Sequence, residues 1–353
     1  MSLDTYDFEL PEERIALRPA DPQDTARLLV VHGDGRLEDA RMVDLPSFLT
    51  PGDVLVFNDT RVLPAALKAV RPKRSDDGRD VAVDINLVEE LAPGRWLALA
   101  RPGKRLKPGD VLEVSETFSA KILDRREGGE IEIGFNCDPH NLLAFLDRFG
   151  AMPLPPYIAR RRVADARDRE TYQPGVAGDD ARSVAAPTAA LHFTPRLLSR
   201  IDKAGLGRET VRLHVGLGTF APLTQSALDT STLHEEWRRL TPDVASRLNT
   251  KRASGARCVP VGTTSLRTLE SCVDGEGKLH PRTGPTDIFL KPGDALRATD
   301  ALVTNFHLPR SSLFMLVCAL MGTDIMRAAY AHAIREHYRF YSYGDACLLL
   351  PAR

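Results

Sequence analysis

The sequence predicts an α/β main domain, built on a mixed sheet or a barrel-like one, with a small all-β barrel domain inserted in it. Three observations carry that expectation. Near-continuous apolar runs such as Asp-Val-Leu-Val-Phe at 53–57 have the pattern of strands buried on both faces. Between 61 and about 150 the runs become short and alternating. Pro-Gly at 93–94, 102–103 and 108–109 and Gly-Gly at 128–129 punctuate them, the spacing of a barrel or sandwich. After about 190, helical and strand patterns alternate again. The division drawn is a discontinuous α/β domain, 1–60 and 153–353, and an inserted barrel, 61–152.

The elements follow in order. Pro11 opens a helical stretch over 12–17, as proline does in a first turn. The strand at 53–57 ends in Asn-Asp-Thr-Arg at 58–61. Alternating strands are expected at 81–87, 96–100 and 130–135, and an amphipathic helix over 141–149 before the proline-rich 152–156. Residues 160–182 are charged, Gly-containing and non-periodic, and read as a mobile loop. Thr241-Pro242 is an N-cap followed by proline at the first helical position, starting a helix toward Ser254. Further helices are expected over 263–272, 311–320 and 323 to about 338.

Bulk properties exclude several classes. With 43% hydrophobic and 27% charged residues, the composition is that of a globular protein. Five scattered cysteines without CxxC spacing argue against a zinc ribbon, an iron–sulfur cluster or a disulfide framework, and fit a reducing cytoplasm. The longest apolar run, 313–321, is under half of the ~20 residues a membrane span needs, and the N-terminus has no signal-peptide pattern. A net charge of −1 leaves nucleic-acid binding to a local patch.

Three strand-to-loop junctions concentrate the chemistry: Leu-His-Val-Gly-Leu-Gly-Thr-Phe at 213–220, Val-Pro-Val-Gly-Thr-Thr-Ser-Leu-Arg at 259–267 and Ala-Leu-Val-Thr-Asn-Phe-His-Leu-Pro at 301–309. Ligands of α/β folds bind where strands end, so three furnished ends point to one composite small-molecule pocket. The first contains G-x-G-x-x-A at 216–221, with Glu235 and Glu236 about 20 residues on, the letters of a dinucleotide fingerprint. Pro222 and the His-Glu-Glu-Trp setting depart from it. A nicotinamide site, a plain glycine turn and a turn that admits another nucleotide therefore all stand. In the second, hydroxyls at a helix start serve as caps, and can also hold a carboxylate; the Walker lysine is missing.

His192, His214 and His307 each follow an apolar run near Phe193, Phe220 and Phe306, a pairing suited to a heteroaromatic ligand. No His-x₃-His or carboxylate cluster accompanies them, so no metal is expected. Basic clusters recur at 71–74, 101–107 and 160–162. Residues 61–162 hold 18 Lys and Arg against 15 Asp and Glu, and the remainder 29 against 33. Such clusters are solvated surface or contacts to RNA phosphates.

Eight motifs in one order, running essentially end to end, resemble the S-adenosylmethionine:tRNA ribosyltransferase-isomerase family of queuosine biosynthesis. They are Tyr-Asp-Phe-Glu-Leu-Pro at 6–11, Asp-Val-Leu-Val-Phe-Asn-Asp-Thr-Arg-Val at 53–62, Arg-Pro-Gly-Lys-Arg-Leu-Lys-Pro-Gly-Asp at 101–110, Ala-Pro-Thr-Ala-Ala-Leu-His-Phe-Thr at 186–194, the junctions at 214–220, 261–271 and 304–309, and Tyr-Arg-Phe-Tyr-Ser-Tyr-Gly-Asp at 338–345. The chain departs from the family's usual residues at Ala190, at 173–176 and at Lys291.

The resemblance implies an enzyme that uses S-adenosylmethionine as a ribosyl donor. The ribosyl group is transferred to 7-aminomethyl-7-deazaguanine in the tRNA anticodon and rearranged. Epoxyqueuosine in tRNA forms, and adenine and methionine leave. The sulfonium acidifies the adjacent 5′ carbon, so a base near neutral pKa is needed, for which His is the default. His214 or His307 is favoured for this role, with His192 third. Phe193, Phe220 and Phe306 are expected to stack the adenine, with Gly216, Gly218, Thr219 and Asn305 at the same ends. Thr263, Thr264 and Ser265 would take the methionyl carboxylate, and Glu270, Asp59 or Asp345 its ammonium or the ribose hydroxyls. Arg61, Arg101, Lys104 and Arg105 would hold tRNA phosphates. A monomer in the cytoplasm, with no membrane partner, is the expected state. The alternatives are a non-catalytic tRNA-binding protein on the same scaffold and a nicotinamide-dependent oxidoreductase.

Overall fold

The computed structural model describes residues 2–76, 78–126, 130–178, 181–216, 223–230, 233 and 235–352. Two compact units emerge. One comprises Met1–Thr60, Pro174–Gly178 and Pro187–Arg353; the other comprises Arg61–Gln173 and Asp179–Ala186. The second unit runs past the boundary at 152 drawn from the sequence. The Gln173 side chain bonds both backbone groups of Val62, and the strand Ala181–Ser183 pairs with Arg61–Val62.

The first unit is built on mixed sheets. Val54–Asn58 has parallel neighbours on both sides, Gly207–Leu213 and Cys258–Pro260. Glu236–Leu240 and Arg282–Thr286 extend the sheet antiparallel beyond Gly207–Leu213. A four-stranded sheet runs in the order Leu302–Asn305, Ala346–Leu350, Arg27–His32, Leu37–Arg41. A parallel bridge between Val261 and Val303 joins the two sheets edge to edge. The apolar run at 54–57 is explained by its two faces. Leu55 and Phe57 enter one core with Phe193 and Leu348, while Val54 and Val56 enter another with Val211 and Leu269. Leu29 and Val31 turn toward a third core around Phe306, Phe314 and Tyr330.

The second unit contains a closed six-stranded antiparallel barrel. Its strands alternate: in Ala66–Arg71, Leu67 and Ala69 are buried while Lys68 and Val70 are exposed. Register shifts at Leu87/Glu89 and Glu132/Ile133 are bulges of the kind that let a small barrel bend closed. The helix Leu142–Phe149 lays Phe145 and Phe149 on Phe118, with ring centroids 4.8 and 5.9 Å away.

The helix Pro242–Ala253 starts as read, with Thr241 Oγ1 accepting from the Val244 amide. Two sequence expectations are corrected. The stretch over 12–17 is only a 3₁₀ turn, Glu12–Arg14, because Ile15 leaves the turn to bridge Phe340. Residues 160–178 are not a plain loop. Asp165 caps a helix over Ala166–Thr171, and fully buried Asp168 is gripped by Arg162 at 2.6 and 2.7 Å. Charge there is spent inside the fold, which a periodicity reading cannot see. Among the described residues, no single helix is long and apolar enough to cross a membrane.

Candidate active site

Four parallel strands lie side by side in the order Gly207–Leu213, Val54–Asn58, Cys258–Pro260, Leu302–Asn305, the last joined through the Val261–Val303 bridge. The chain starts from Val54–Asn58, goes to one side, then crosses to the other. That reversal is a topological switch point, where open α/β sheets place their ligand crevice outside the carboxyl ends of the strands. The second and third junctions singled out in the sequence, the described start of the first at 213–216, and the polar end at 58–60 therefore share one sheet edge. Asn58 ties two ends together: its side chain donates to the Leu213 carbonyl at 2.9 Å and accepts from the Leu213 amide at 3.1 Å.

The three histidines occupy different environments. His307 is buried; its Nε2 meets Thr304 Oγ1 at 3.1 Å, and its backbone N–H donates to the Tyr330 hydroxyl at 3.0 Å. Burial pushes its pKa down to about 3. His192 sits in the 3₁₀ turn Thr188–His192. Burial outweighs nearby Asp345 and a hydrogen bond to the Gln23 backbone, and lowers its pKa to about 4. Asn305 Oδ1 accepts from Thr188 Oγ1 at 2.9 Å, which turns the Asn305 amide nitrogen toward His192 Nε2 at 3.3 Å. His192 is then a neutral acceptor. His214 is half-buried. Its Nδ1 lies 3.2 Å from Thr60 Oγ1. Its ring stacks on Trp237 at 4.9 Å and 18°.

The three acids are engaged by protein donors. Asp59 takes a two-pronged grip from Arg212 at 2.7 and 2.8 Å. Glu270 accepts from the amides of Arg297 and Ala298 and the hydroxyl of Thr299, fixing that turn. Asp345 accepts from the amides of Arg27 and Arg339 and from the Arg339 guanidinium. The aromatics divide. Phe193 packs edge-on against Phe57, and Phe306 against Tyr330 and Tyr338, all in the core. Gly218, Thr219 and Phe220 lie outside the described residues, and Gly216 is half-buried at the strand end. Trp237, on the neighbouring strand, is the ring that meets His214; sequence reading missed it because the contact depends on pairing between distant strands.

The helix Thr263–Glu270 corrects the capping expectation. Its N-cap is Gly262, at φ +87°, with no side-chain cap bond. That backbone favours glycine. The hydroxyls turn inward instead: Ser265 donates to the Val261 carbonyl and Thr268 to that of Thr264, both at 2.9 Å. Thr263 is buried at the first turn, and the buried Thr264 Oγ1 has no partner among the described residues. One turn on, buried Arg267 pairs through Nη1 with buried Glu236. Sequence reading left Arg267 out and took Glu236 only as part of a false fingerprint, since the partners are 31 positions apart.

In the barrel-bearing unit, Arg61, Arg101, Lys104 and Arg105 are all exposed, the last two in the turn Gly103–Arg105. Other members of the basic clusters are spent structurally: Arg71 is buried, and Arg74 grips Asp110. The family departures fall on ordinary structural positions, with Ala190 in the core and the Lys291 amide on Asp294.

Fold and site define an α/β protein with polar strand ends on one sheet edge, where proteins of this class place their ligands, and with a barrel inserted in its chain. The chain belongs to the queuosine biosynthesis protein family, whose model matches residues 3–349. It is 70% identical, over 99% of this chain and 100% of the relative, to S-adenosylmethionine:tRNA ribosyltransferase-isomerase of Hyphomonas neptunium. It is 49% identical, over 99% of each, to the protein of that name from Maricaulis maris. The solved structure of S-adenosylmethionine tRNA ribosyltransferase from Thermotoga maritima is similar over 98% of this chain and 100% of that one, at 34% identity and a TM-score of 0.56.

Proposed function

We propose that this chain is an S-adenosylmethionine:tRNA ribosyltransferase-isomerase. It moves the ribosyl group of S-adenosylmethionine onto 7-aminomethyl-7-deazaguanine in tRNA and rearranges it to epoxyqueuosine, with release of adenine and methionine. The observation that carries this reading is the 70% identity along the whole of a relative of that name. The four polar strand ends on one edge supply a crevice for the nucleoside.

His214 is the group that removes the 5′ proton beside the sulfonium. It stands at the strand end with partial exposure, Thr60 on one ring nitrogen and Trp237 on its face. His192 and His307, held neutral by burial far below their ordinary range, are poor proton acceptors and serve to orient their neighbours. Arg61, Arg101, Lys104 and Arg105 take tRNA phosphates through charge rather than base edges.

The test is mass spectrometry of the small molecules released from S-adenosylmethionine, with tRNA bearing the aminomethyl-deazaguanine base and with unmodified tRNA. Adenine and methionine together, only with the modified tRNA, are expected. S-adenosylhomocysteine in their place makes the protein a methyltransferase, and tRNA binding without turnover makes it a non-catalytic binder.

A further inference from the structure

A cavity of about 50 Å³ lies beside the strand end at Gly216, within the sheet-bearing unit. Its lining is part apolar, with Leu233, Ile288 and Leu313, and part charged, with Arg267, Glu235 and Glu236. Arg267 is 6% exposed. Its Nη1 is taken by Glu236. Its Nε and Nη2 are buried and without a partner among the described residues. Those two atoms form one edge of the guanidinium. Arg196, Arg208, Arg212 and Arg247 each use that same edge to grip a carboxylate in this protein.

A buried guanidinium edge with two unused donors calls for an acceptor of matching shape, and a carboxylate matches it with two parallel bonds. A phosphate would also match, but it would bring up to two negative charges against Glu235 and Glu236. An α-amino acid brings a carboxylate for Arg267 and an ammonium for the acids together. The apolar lining residues then suit an aliphatic stem. A volume of this size admits on the order of a few waters, the scale of an amino acid headgroup.

We propose that this cavity holds the amino acid end of S-adenosylmethionine, with Arg267 on the carboxylate, Glu235 on the ammonium, and Leu233, Ile288 and Leu313 along the methylene stem. The proposal rests on the ribosyl-transfer reading. It shifts the carboxylate from the hydroxyls at 263–265 to the guanidinium one turn further along the helix. Gly216 is two residues from His214, and Glu236 precedes Trp237, so the headgroup is anchored next to the proposed base.

The test compares S-adenosylmethionine with its decarboxylated analogue as ribosyl donor, reading kcat/KM for adenine release on the modified tRNA. The wild type should use the analogue roughly 10–100-fold less well, the range of a hydrogen bond to a charged group, and chiefly through KM. The double variant Arg267→Gln/Glu236→Gln removes both charges of the buried pair. Checked for folding by thermal melting, it should treat both donors alike. Equal use of the two donors by the wild type overturns the proposal whether or not the variant folds, and so does discrimination that survives in the folded variant. Adenine released from neither donor overturns the ribosyl-transfer reading itself.

Discussion

The strands of the two units differ in how they meet water, and the difference locates the chemistry. Barrel strands such as Ala66–Arg71 and Val81–Ala92 send alternate residues out along their length, so charge can be displayed anywhere on the surface. The central strands of the other unit, Val54–Asn58, Cys258–Pro260 and Leu302–Asn305, are buried throughout. Polar groups there enter only at the ends, where burial obliges each to find a partner. One unit therefore displays charge on its surface, Arg101, Lys104 and Arg105 included, and the other holds fixed, dry, hydrogen-bonded groups at its strand ends.

The comparison breaks most sharply at His214. His214→Gln should lower turnover by about 10²–10⁴-fold, the usual scale for a lost general base, while melting stays close to wild type, since the ring is only half-buried. His307→Gln should cost stability more than turnover. Single-turnover rates beside melting curves separate the two. A His307 variant that loses turnover at unchanged stability would move the base to the other strand end.

The next effect lies in the other unit. Arg162→Ala removes the two-pronged guanidinium from the fully buried carboxylate of Asp168, which keeps the Asp165 amide, and should cost roughly 3 kcal/mol, the low end of the scale for breaking a buried pair by removing one partner. Neighbouring Arg160 is exposed, and Arg160→Ala should stay within about 0.5 kcal/mol. Denaturant midpoints check both. Equal midpoints would mean that this stretch behaves as the loop its sequence resembles.

That contrast shows what the sequence makes legible. The strand at 53–57 and the Thr241 cap could be read because short-range pattern decides them: two buried faces, and a side-chain oxygen three residues from an amide. The junctions could be read because polar residues after apolar runs mark strand ends. The pairs Asp168 with Arg162, Glu236 with Arg267 and His214 with Trp237 could not. Each is set by packing or strand pairing, which local pattern does not encode. Phe193 and Phe306 misled for the related reason that an aromatic at a strand end has the same letters whether it faces a ligand or the core.

Acid should expose the buried histidines. Both have folded pKa values below the ordinary 6.5, about 4 for His192 and about 3 for His307. At neutral pH both are uncharged in the folded and unfolded chains. As pH falls below about 6.5 the unfolded chain binds protons that the folded one refuses, so stability declines, and it goes on declining until pH passes each folded value. Each histidine contributes a slope of up to about 1.4 kcal/mol per pH unit. Melting between pH 7 and 5 should therefore fall more steeply in wild type than in a His192→Asn/His307→Gln variant. Parallel curves would mean that these rings titrate normally in the fold.

The smallest effect belongs to the exposed basic residues, and it should appear in binding alone. Lys104 and Arg105 sit in an open turn, where losing one charge leaves the fold intact. If each neutralises one phosphate, Lys104→Ala or Arg105→Ala should reduce the slope of log affinity for tRNA against log salt by about 1, and weaken binding evenly across tRNA sequences. Arg74, whose guanidinium already grips Asp110 at 2.6 and 2.9 Å, makes the control. Arg74→Ala should leave the salt slope unchanged, because a cation committed to a carboxylate displaces no counterion from RNA. A slope that drops equally for Arg74 would show that the structural pairs of the barrel unit open to meet the nucleic acid, and the division between displayed and spent charge would have to be redrawn.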